Sequence, residues 1–257
     1  DVYKRQVKDI RGEECETIQN ASTGEEEETC TNPSSIYDRS HDGDFMPAEM
    51  VAGNEKIFFT AYNQHRDDTW SAADLWVSDG TEEGTQLVKD LWTDWWDYFC
   101  CGQEFDYVGI SNLLIIPSNG NNPDRVLFSG LQASSTTNED GSETGPTGEE
   151  LWLSDGTEAG THLVANIKPE TKSWTWMETT YCCGDWNGSM PRDMVLIGEQ
   201  VWFTAETDDY GRELYRYVLG NSFGVGSGHY LVKDIMPGAT TSNPSELTRG
   251  SGGLFLS

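Results

Sequence analysis

The sequence predicts an all-β protein made of repeated, four-stranded antiparallel units. A phrase recurs along the chain, short apolar stretches precede each copy, and no helical periodicity is convincing. The phrase is complete at 74–91 (DLWVSDGTEEGTQLVKDL) and 150–167 (ELWLSDGTEAGTHLVANI). Its frame returns at 213–215 and 230–235, and its ending alone at 7–10. Because such a unit must bury its faces against neighbours, the pattern predicts a β-propeller, or a propeller fragment of four-stranded blades.

The first two strands of each unit are predicted from apolar stretches that lie before the phrase. Stretches rich in aromatic and β-branched residues at 56–61, 125–130, 200–205 and 253–257 are typical of second strands. In three units a shorter apolar stretch and a glycine-containing turn precede them, which predicts a hairpin whose glycine takes a positive φ. These hairpins are predicted from 50–54, 194–199 and 246–252.

The third and fourth strands flank a turn with the pattern Ser-Asp-Gly-Thr-x-x-Gly-Thr. The third strand is the Leu-Trp stretch and the fourth is Leu-Val-Lys-Asp-Ile or its variant. An Asp in such a turn accepts backbone amides, and glycine relieves backbone strain. The predicted structural residues of the turns are Asp79, Gly80, Gly84, Asp155, Gly156 and Gly160.

The spacing of the copies predicts a unit of about 50 residues, within the range of known propeller repeats, with inserted segments. Phe203 and Phe255 are 52 positions apart, whereas Phe59 and Phe128 are 69 apart. The surplus falls after the fourth strand and between the second and third strands, and it is rich in Cys and Trp. Residues 1–6 are interpreted as a cloning or assembly scar, and 7–257 as one repeat domain of a longer chain. Its parts are 7–10 (last strand of a preceding blade), 11–91 (a blade with an N-terminal insertion), 92–167 and 168–235 (blades), and 236–257 (first two strands of a further blade).

The phrase resembles the ELWxxDGT repeat, an array module of large secreted or surface proteins. The stretch from Leu231 to Gly238 matches the trailing Leu-Val-Lys-Asp-Ile-x-Pro-Gly of that module, and Ser242, Pro244 and Leu247 continue the match. The chain departs from the pattern at 217–228 and in its long insertions. The resemblance implies a secreted or surface protein with a propeller-like array, and it supplies no catalytic residue to transfer.

The charge of the chain disfavours nucleic acid and anionic membrane surfaces as partners. Asp and Glu number 44 against 16 Lys and Arg, which gives a formal net charge of −28. Such a surface repels phosphate groups. No apolar stretch reaches membrane length, so no membrane insertion is predicted in this segment. Self-association through neighbouring repeats is predicted as a further property.

The six cysteines predict disulfides and an oxidising compartment, because their number is even and they lie in inserted segments. Cys15 and Cys30 are expected to bridge, whereas the adjacent pairs bridge internally or to each other. A zinc site is the alternative, although the spacing does not favour it. N-glycosylation is predicted at Asn20 and Asn187, which lie in Asn-x-Ser sequons in the same segments. The adjacent pairs are Cys100 with Cys101 and Cys182 with Cys183.

The best functional indication in the sequence is the aromatic content of the insertions. Aromatic rings beside carboxylates are typical of sugar stacking and of protein interfaces; the alternative is that they pack under their own loops. The candidate binding residues are Trp92, Trp95, Trp96, Tyr98, Trp174, Trp176 and Trp186.

The sequence predicts a non-enzymatic extracellular scaffold that binds protein or glycan. The alternative is a secreted carbohydrate-binding or glycoside-cleaving propeller that uses carboxylates of its channel. No catalytic residue and no cofactor are predicted, and calcium bound at the acidic turns is a further alternative. The string Gly220–Gly224 matches a nucleophile elbow, but it lies in a strand-to-strand loop and not before a helix.

Overall fold

The computed structural model describes the parts of the chain that carry the repeats. Side chains are described for residues 49–61, 74–89, 91, 110–131, 147–169, 188–220, 228–251 and 253–257. Backbone alone is described for residues 14–19, 26–31, 62, 73, 132, 136–137, 143–144, 174–176 and 179–181. Within these residues every regular element is a β-strand and no helix occurs, which confirms the all-β prediction.

The strands follow one another in a regular order. They are β1 (Glu14–Gln19), β2 (Glu26–Thr31), β3 (Met50–Ala52), β4 (Ile57–Tyr62), β5 (Ala73–Ser78), β6 (Gln86–Lys89), β7 (Ser111–Ile116), β8 (Arg125–Gln132), β9 (Thr136–Thr137), β10 (Glu143–Thr144), β11 (Thr147–Ser154), β12 (His162–Ala165), β13 (Trp174–Trp176), β14 (Thr179–Tyr181), β15 (Arg192–Ile197), β16 (Gln200–Thr207), β17 (Gly211–Val218), β18 (Gly228–Lys233), β19 (Thr248–Gly250) and β20 (Gly253–Phe255).

Three four-stranded antiparallel sheets form the body of the described structure. Sheet I has the order β3-β4-β5-β6, sheet II the order β7-β8-β11-β12, and sheet III the order β15-β16-β17-β18. The remaining strands form two-stranded pairs, of which β19–β20 follows sheet III. Two backbone hydrogen bonds between Ser245 and Ser257 extend this last hairpin. The predicted four-stranded units are therefore present.

Two apolar interfaces join the three sheets. Phe58 and Leu75 of sheet I share a buried cluster with Phe128 and Trp152 of sheet II. Leu127 and Leu151 of sheet II, with Val201, Phe203 and Tyr215 of sheet III, belong to a second cluster. Successive side chains of a strand point to opposite faces, so Leu127 and Phe128 serve different interfaces although neither is exposed. Sheet II is consequently buried on both faces.

An aromatic pair occupies the same position in every sheet. Phe59 stacks with Trp76 and Phe128 with Trp152, each with ring centroids 6.4 Å apart. In sheet III the pair is Phe203 with Tyr215, at 6.0 Å. The third copy of the phrase therefore keeps its packing role although Tyr replaces Trp.

The first strands of successive sheets lie beside one another. Strand β3 contacts β7, β7 contacts β15, and β15 contacts β19. The fourth strands β12 and β18 also contact each other. Each sheet therefore presents the same strand to the neighbouring sheet.

Three details of the prediction are wrong. The Gly53 backbone does not have a positive φ; a Cβ there would overlap the Asp124 carboxylate, so space and not φ requires glycine. Strand β7 was not predicted, because a long connection at 117–124 replaces the short turn of the other units. Strand β19 begins at Thr248, two residues later than the apolar stretch suggests.

Candidate functional site

The two ends of the stacked sheets differ in their connections. At one end, the turn face, lie the links between first and second strands and the Ser-Asp-Gly-Thr turns between third and fourth strands. At the other end, the loop face, lie the links between second and third strands and between one sheet and the next. Antiparallel order alone produces this separation. All the long inserted segments are consequently attached to the loop face.

Each Ser-Asp-Gly-Thr turn is closed by its own hydrogen bonds. Asp79 Oδ1 accepts from the Thr81 amide at 2.9 Å and from the Thr81 hydroxyl at 2.6 Å. Ser78 Oγ lies 2.7 Å from Thr85 Oγ1 and accepts from the Gly80 amide. Gly80 has φ +88°. The Thr81 hydroxyl hydrogen bond to Asp79, together with amide bonds, lowers the pKa of Asp79.

The second turn repeats this geometry. Asp155 Oδ1 accepts from the amide and hydroxyl of Thr157 at 2.9 and 2.7 Å, and Gly156 has φ +89°. A Cβ at Gly84 or Gly160 would overlap the carboxylate of Asp79 or Asp155, respectively. The Asp carboxylates thus accept backbone amides in both turns, whereas space and not φ requires glycine at Gly84 and Gly160. Among the described residues no group of three acidic, His or Cys side chains is arranged to hold a metal ion, and calcium stays a prediction.

Asp124 joins sheets I and II on the turn face. Its carboxylate accepts from the amides of Glu55 at 2.6 Å, Lys56 at 3.0 Å and Ser118 at 2.7 Å. Burial opposes ionisation, but the amide bonds, led by those of Glu55 and Ser118, hold the pKa of Asp124 at about 2. Lys56 then donates its ammonium to the Asp155 carbonyl at 3.1 Å. On the turn face, these hydrogen bonds thus hold sheets I and II together.

On the loop face, the glutamate of the Glu-Leu-aromatic strand forms what we call a clamp. It binds the backbone that leaves the fourth strand of its own sheet and also the segment that precedes the first strand of the next sheet. Glu150 accepts from the Ile167 and Lys168 amides at 2.9 and 3.0 Å, and from the Ser189 amide and hydroxyl at 3.1 and 2.6 Å. Burial raises the pKa of Glu150, and the Ser189 hydroxyl opposes that shift. This role was not predicted from the sequence, although the repeated Glu and the Ser-x-Pro that follows it were a signal for it.

The third copy builds the same clamp. Glu213 accepts from the Ile235, Met236 and Ser242 amides at 3.1, 3.4 and 3.2 Å, and from the Ser242 hydroxyl at 2.7 Å. Neither Glu150 nor Glu213 is exposed. Both clamps therefore hold fourth-strand exits beside a Ser-x-Pro segment.

Strained backbone lies where the first strands begin. Asn112, Asp193 and Glu246 hold equivalent positions and have φ of +56°, +54° and +52°. Glu49 accepts from the Asn112 and Leu113 amides at 2.8 and 2.7 Å, which fixes the first of these bends. Left-handed backbone in residues other than glycine is uncommon and collects at functional sites.

Charged side chains of both signs surround Arg212 on the loop face. Arg212 donates to the Met190 carbonyl at 3.0 Å and lies 3.7 Å from Glu206. Burial, then the nearby Arg192, lowers the pKa of Arg212, while Glu206, Glu149 and Asp193 oppose the shift. Arg192 and three carboxylates therefore lie close enough to act on one buried guanidinium. Glu149 also accepts from the Ser129 hydroxyl at 2.6 Å.

Most of the predicted binding and covalent residues lie outside the described residues. The flanking residues are described: Leu91 and Ile110 enclose one inserted segment, and Pro169 and Gly188 enclose the other. Trp174 and Trp176 are placed by backbone only, in β13, where Trp174 pairs with Tyr181. The residues outside the described parts are Trp92, Trp95, Trp96, Tyr98, Trp186, Cys100, Cys101, Cys182, Cys183, Asn20 and Asn187.

The backbone places Cys15 and Cys30 opposite each other in the β1–β2 ladder. Directly opposed residues of an antiparallel pair have Cα atoms about 4.5–5.5 Å apart, a separation that a disulfide can span. This register supports the Cys15–Cys30 bridge, which stays a prediction.

Ser189 has a structural role that its sequon does not reveal. It is not exposed, and both its amide and its hydroxyl donate to Glu150. Since the sequon is read through this hydroxyl, glycosylation at Asn187 would have to precede formation of the clamp.

Comparisons with known proteins identify no related protein. No family model, no curated protein and no solved structure matches the chain. In the described parts, helices with the length and hydrophobicity to span a bilayer are absent.

Proposed function

We propose that the three sheets are blades of a β-propeller and that the chain is a non-enzymatic extracellular scaffold. In this proposal the Cys- and Trp-rich segments bind a protein or a glycan. The support for a propeller is that first strands adjoin first strands, from β3 to β7 to β15 to β19, as around a central axis. The resemblance to the ELWxxDGT module supports the secreted location.

The observation that carries the binding proposal is the separation of the two faces. Every long inserted segment is attached to the loop face, whereas the turn face is engaged in holding sheets together. Loops positioned by a rigid scaffold are where binding residues concentrate. Large aromatic side chains attached at one face would supply stacking surface for sugars or anchors for a protein.

The alternative is a carbohydrate-binding or glycoside-cleaving propeller. The observation that favours it is that Glu206 lies 3.7 Å from the buried Arg212 guanidinium on the loop face, with Glu149 and Asp193 within electrostatic range of the same group. Cleavage of a glycoside requires two such groups across the sugar.

A ligand screen on the intact chain separates the two proposals. Glycan arrays and extracellular protein arrays are probed with the chain and with a variant in which Trp95, Trp96, Trp174 and Trp176 become Ala. The matched control substitutes Glu82 and Glu83, exposed on the turn face, by Ala. We expect a ligand that the control retains and the Trp variant loses. Equal binding by both variants contradicts the proposal, and glycoside turnover that Glu149→Gln or Asp193→Asn abolishes supports the alternative.

The covalent part of the proposal has its own test. Mass spectrometry of the secreted, unreduced chain is expected to show six cysteines engaged in disulfides. Six free thiols would contradict the oxidising compartment.

A further inference from the structure

The asparagines of the chain differ in what binds the backbone amide that follows each of them. This matters because an asparagine loses its side-chain amide when the next backbone nitrogen attacks its Cγ carbonyl. Ammonia leaves, a cyclic succinimide forms, and water opens the ring to aspartate or isoaspartate. The attacking nitrogen must give up its proton, so a hydrogen bond that already engages this N–H opposes the reaction.

Most of the described asparagines precede an amide that is engaged or absent. The residues that follow Asn54, Asn112, Asn121 and Asn166 all donate their N–H to a side-chain oxygen. Asn122 and Asn243 precede proline, which has no N–H. The donors, with their acceptors, are Glu55 (Asp124, 2.6 Å), Leu113 (Glu49, 2.7 Å), Asn122 (Asn119, 3.0 Å) and Ile167 (Glu150, 2.9 Å).

The Asp-Gly dipeptides of the two Ser-Asp-Gly-Thr turns are protected in the same way. Aspartate forms the same succinimide, with loss of water in place of ammonia. The Gly80 amide, however, donates to Ser78 Oγ at 3.0 Å. The Gly156 amide likewise donates to Ser154 Oγ at 3.0 Å. The repeated turns therefore hold the nitrogen that would attack.

Asn119 is the exception among the described asparagines. The next residue is Gly120, and no hydrogen bond engages the Gly120 N–H within the described parts of the chain. Gly120 is exposed and has φ +81°. A Cβ built on it would meet no atom within 4 Å. The nitrogen after Asn119 is therefore both unbound and unshielded.

The carbonyl that this nitrogen would attack is held close to the same backbone. Asn119 Oδ1 accepts from the Asn121 amide at 3.2 Å and from the Asn122 amide at 3.0 Å. These donors polarise the Cγ carbonyl. They also stabilise the negative charge that develops on its oxygen in the tetrahedral intermediate. The turn thus combines an activated carbonyl with a free nitrogen.

We propose that Asn119 deamidates spontaneously through attack of the Gly120 nitrogen, and that the isoaspartyl product loosens the joint between sheets I and II. The bond from the Gly120 nitrogen to Asn119 Cγ forms, the Cγ–Nδ2 bond breaks, and the departing ammonia takes up the amide proton. Water then hydrolyses one C–N bond of the ring, and the new carboxyl ionises. The chain gains one negative charge, and isoaspartate lengthens the main chain by one carbon. This reaction is independent of ligand binding at the loop face.

The affected joint is the one that Asp124 forms on the turn face. Ser118, directly before Asn119, donates its amide to Asp124 at 2.7 Å. Asn54 of sheet I donates its side-chain amide to the Ser118 carbonyl and hydroxyl, both at 3.1 Å. The segment 118–124 is therefore a loop closed by its own hydrogen bond and fixed to sheet I. A main chain lengthened at 119 works against both attachments.

Peptide mapping by mass spectrometry follows the intact chain during incubation at mildly alkaline pH. We expect the mass gain of deamidation at Asn119, faster than at the asparagines whose following amide is engaged. Asn187, which also precedes a glycine, is read from its own peptide. Gly120→Ala adds a Cβ beside the nitrogen and is expected to slow the gain severalfold. An unchanged mass at Asn119 overturns the proposal.

Glu55→Gly is the matched control, because it places an Asn-Gly dipeptide where Asp124 binds the following amide. Glu55 is exposed and does not have a positive φ, so glycine fits there without strain. In the folded variant we expect the gain at Asn119 and little at Asn54, whereas in urea both sites gain alike. Equal gain at both sites in the folded variant overturns the proposal, because the dipeptide alone would then set the rate.

Hydrogen exchange tests the effect on the joint. Ion exchange separates the deamidated chain by its added charge, and a protease that cuts before aspartate but not isoaspartate identifies the isoaspartyl fraction. We expect faster exchange of the Lys56 and Ser118 amides in that fraction. Freshly purified Asn119→Asp adds the charge without lengthening the main chain and is expected to keep the slower exchange. Exchange equal to that of the unaged chain, or equally fast in Asn119→Asp, overturns the loosening by a longer main chain.

Discussion

Asp124 on the turn face and Glu150 on the loop face are both unexposed carboxylates, but their pKa values are shifted in opposite directions. Asp124 has its pKa lowered to about 2 by amides that lie within two neighbouring turns. Glu150 has its pKa raised, because burial exceeds the effect of its donors. The Glu150 donors come from a sheet exit and from Ser189, 39 positions along the chain. The turn face is thus built from tight local turns, and the loop face from clamps that bridge long segments.

This difference explains where the chain can vary. On the turn face, an inserted residue would displace the amides that Asp124 binds, because the donors at 54–56 are consecutive. On the loop face, the clamp requires only that the two ends of a connection meet at one carboxylate. The connection spanned by Glu150 is longer than that spanned by Glu213, whose Ser242 is 29 positions away. Insertions are therefore tolerated there without loss of sheet packing.

The largest expected effect is the loss of a loop-face clamp. Glu150→Ala leaves four donors without an acceptor and is expected to lower the free energy of unfolding by about 3–5 kcal/mol. Urea denaturation measures the change. Glu158→Ala, at an exposed turn position, is the control and should change stability by less than about 0.5 kcal/mol. A loss for Glu150→Ala that is no larger than the control would show that the clamp does not stabilise the sheets.

The next effect tests crowding in the closed turns. Gly160→Ala forces a Cβ against the Asp155 carboxylate and is expected to cost about 2 kcal/mol in thermal or urea unfolding. Gly120→Ala, where φ is +81° with open space around it, isolates the backbone strain at about 1 kcal/mol. If crowding is the cause, Asp155→Ala combined with Gly160→Ala costs less than the sum of the single changes. Strict additivity would refute it.

The third prediction concerns the stability of the chain at acidic pH. A lowered pKa means that ionised Asp124 stabilises the fold fully above pH 3.8, the ordinary value, and that this contribution disappears as the pH falls towards 2. Asp124→Asn is expected to cost about 1–3 kcal/mol near neutral pH, and the difference from the unaltered chain should shrink between pH 4 and 2. Urea midpoints of both proteins at several pH values measure it. A difference that stays constant across this window would mean that the amides do not favour the ionised form.

The opposite dependence of stability on pH is expected for Glu150 on the loop face. Because the pKa of Glu150 is raised, its ionisation costs stability, and the cost is absent below pH 4.5 and grows as the pH rises through the raised value. Between pH 4 and 8, Glu150→Gln should therefore destabilise the chain least, relative to the unaltered protein, at the highest pH. Paired urea titrations over pH 4 to 8 check this trend.

The smallest effect concerns the bend at Glu246. Asn tolerates left-handed backbone better than Glu, so Glu246→Asn, at an exposed residue with φ +52°, is expected to stabilise the chain by about 0.5 kcal/mol. Glu199→Asn is the control, because Glu199 is exposed and does not have a positive φ. Thermal unfolding compares the two. Equal changes would assign the effect to charge and not to backbone strain.

Local sequence patterns predicted the units and their turns well. The Asp79 and Gly80 roles follow from turn chemistry within eight residues, and the strands on either side follow from their apolar pattern. The clamps were beyond sequence reasoning, because Glu150 and Ser189 meet only after the sheets stack. Gly53 shows the same limit: its requirement arises from Asp124 in the next sheet and not from its own turn.

The Glu150 clamp holds Lys168 and Ser189 at a single carboxylate, so each end of the connection between them has its own anchor. We expect this connection to accept another length and composition as long as the two anchoring residues are kept. A library built between these two residues would therefore display foreign peptides on an unaltered framework.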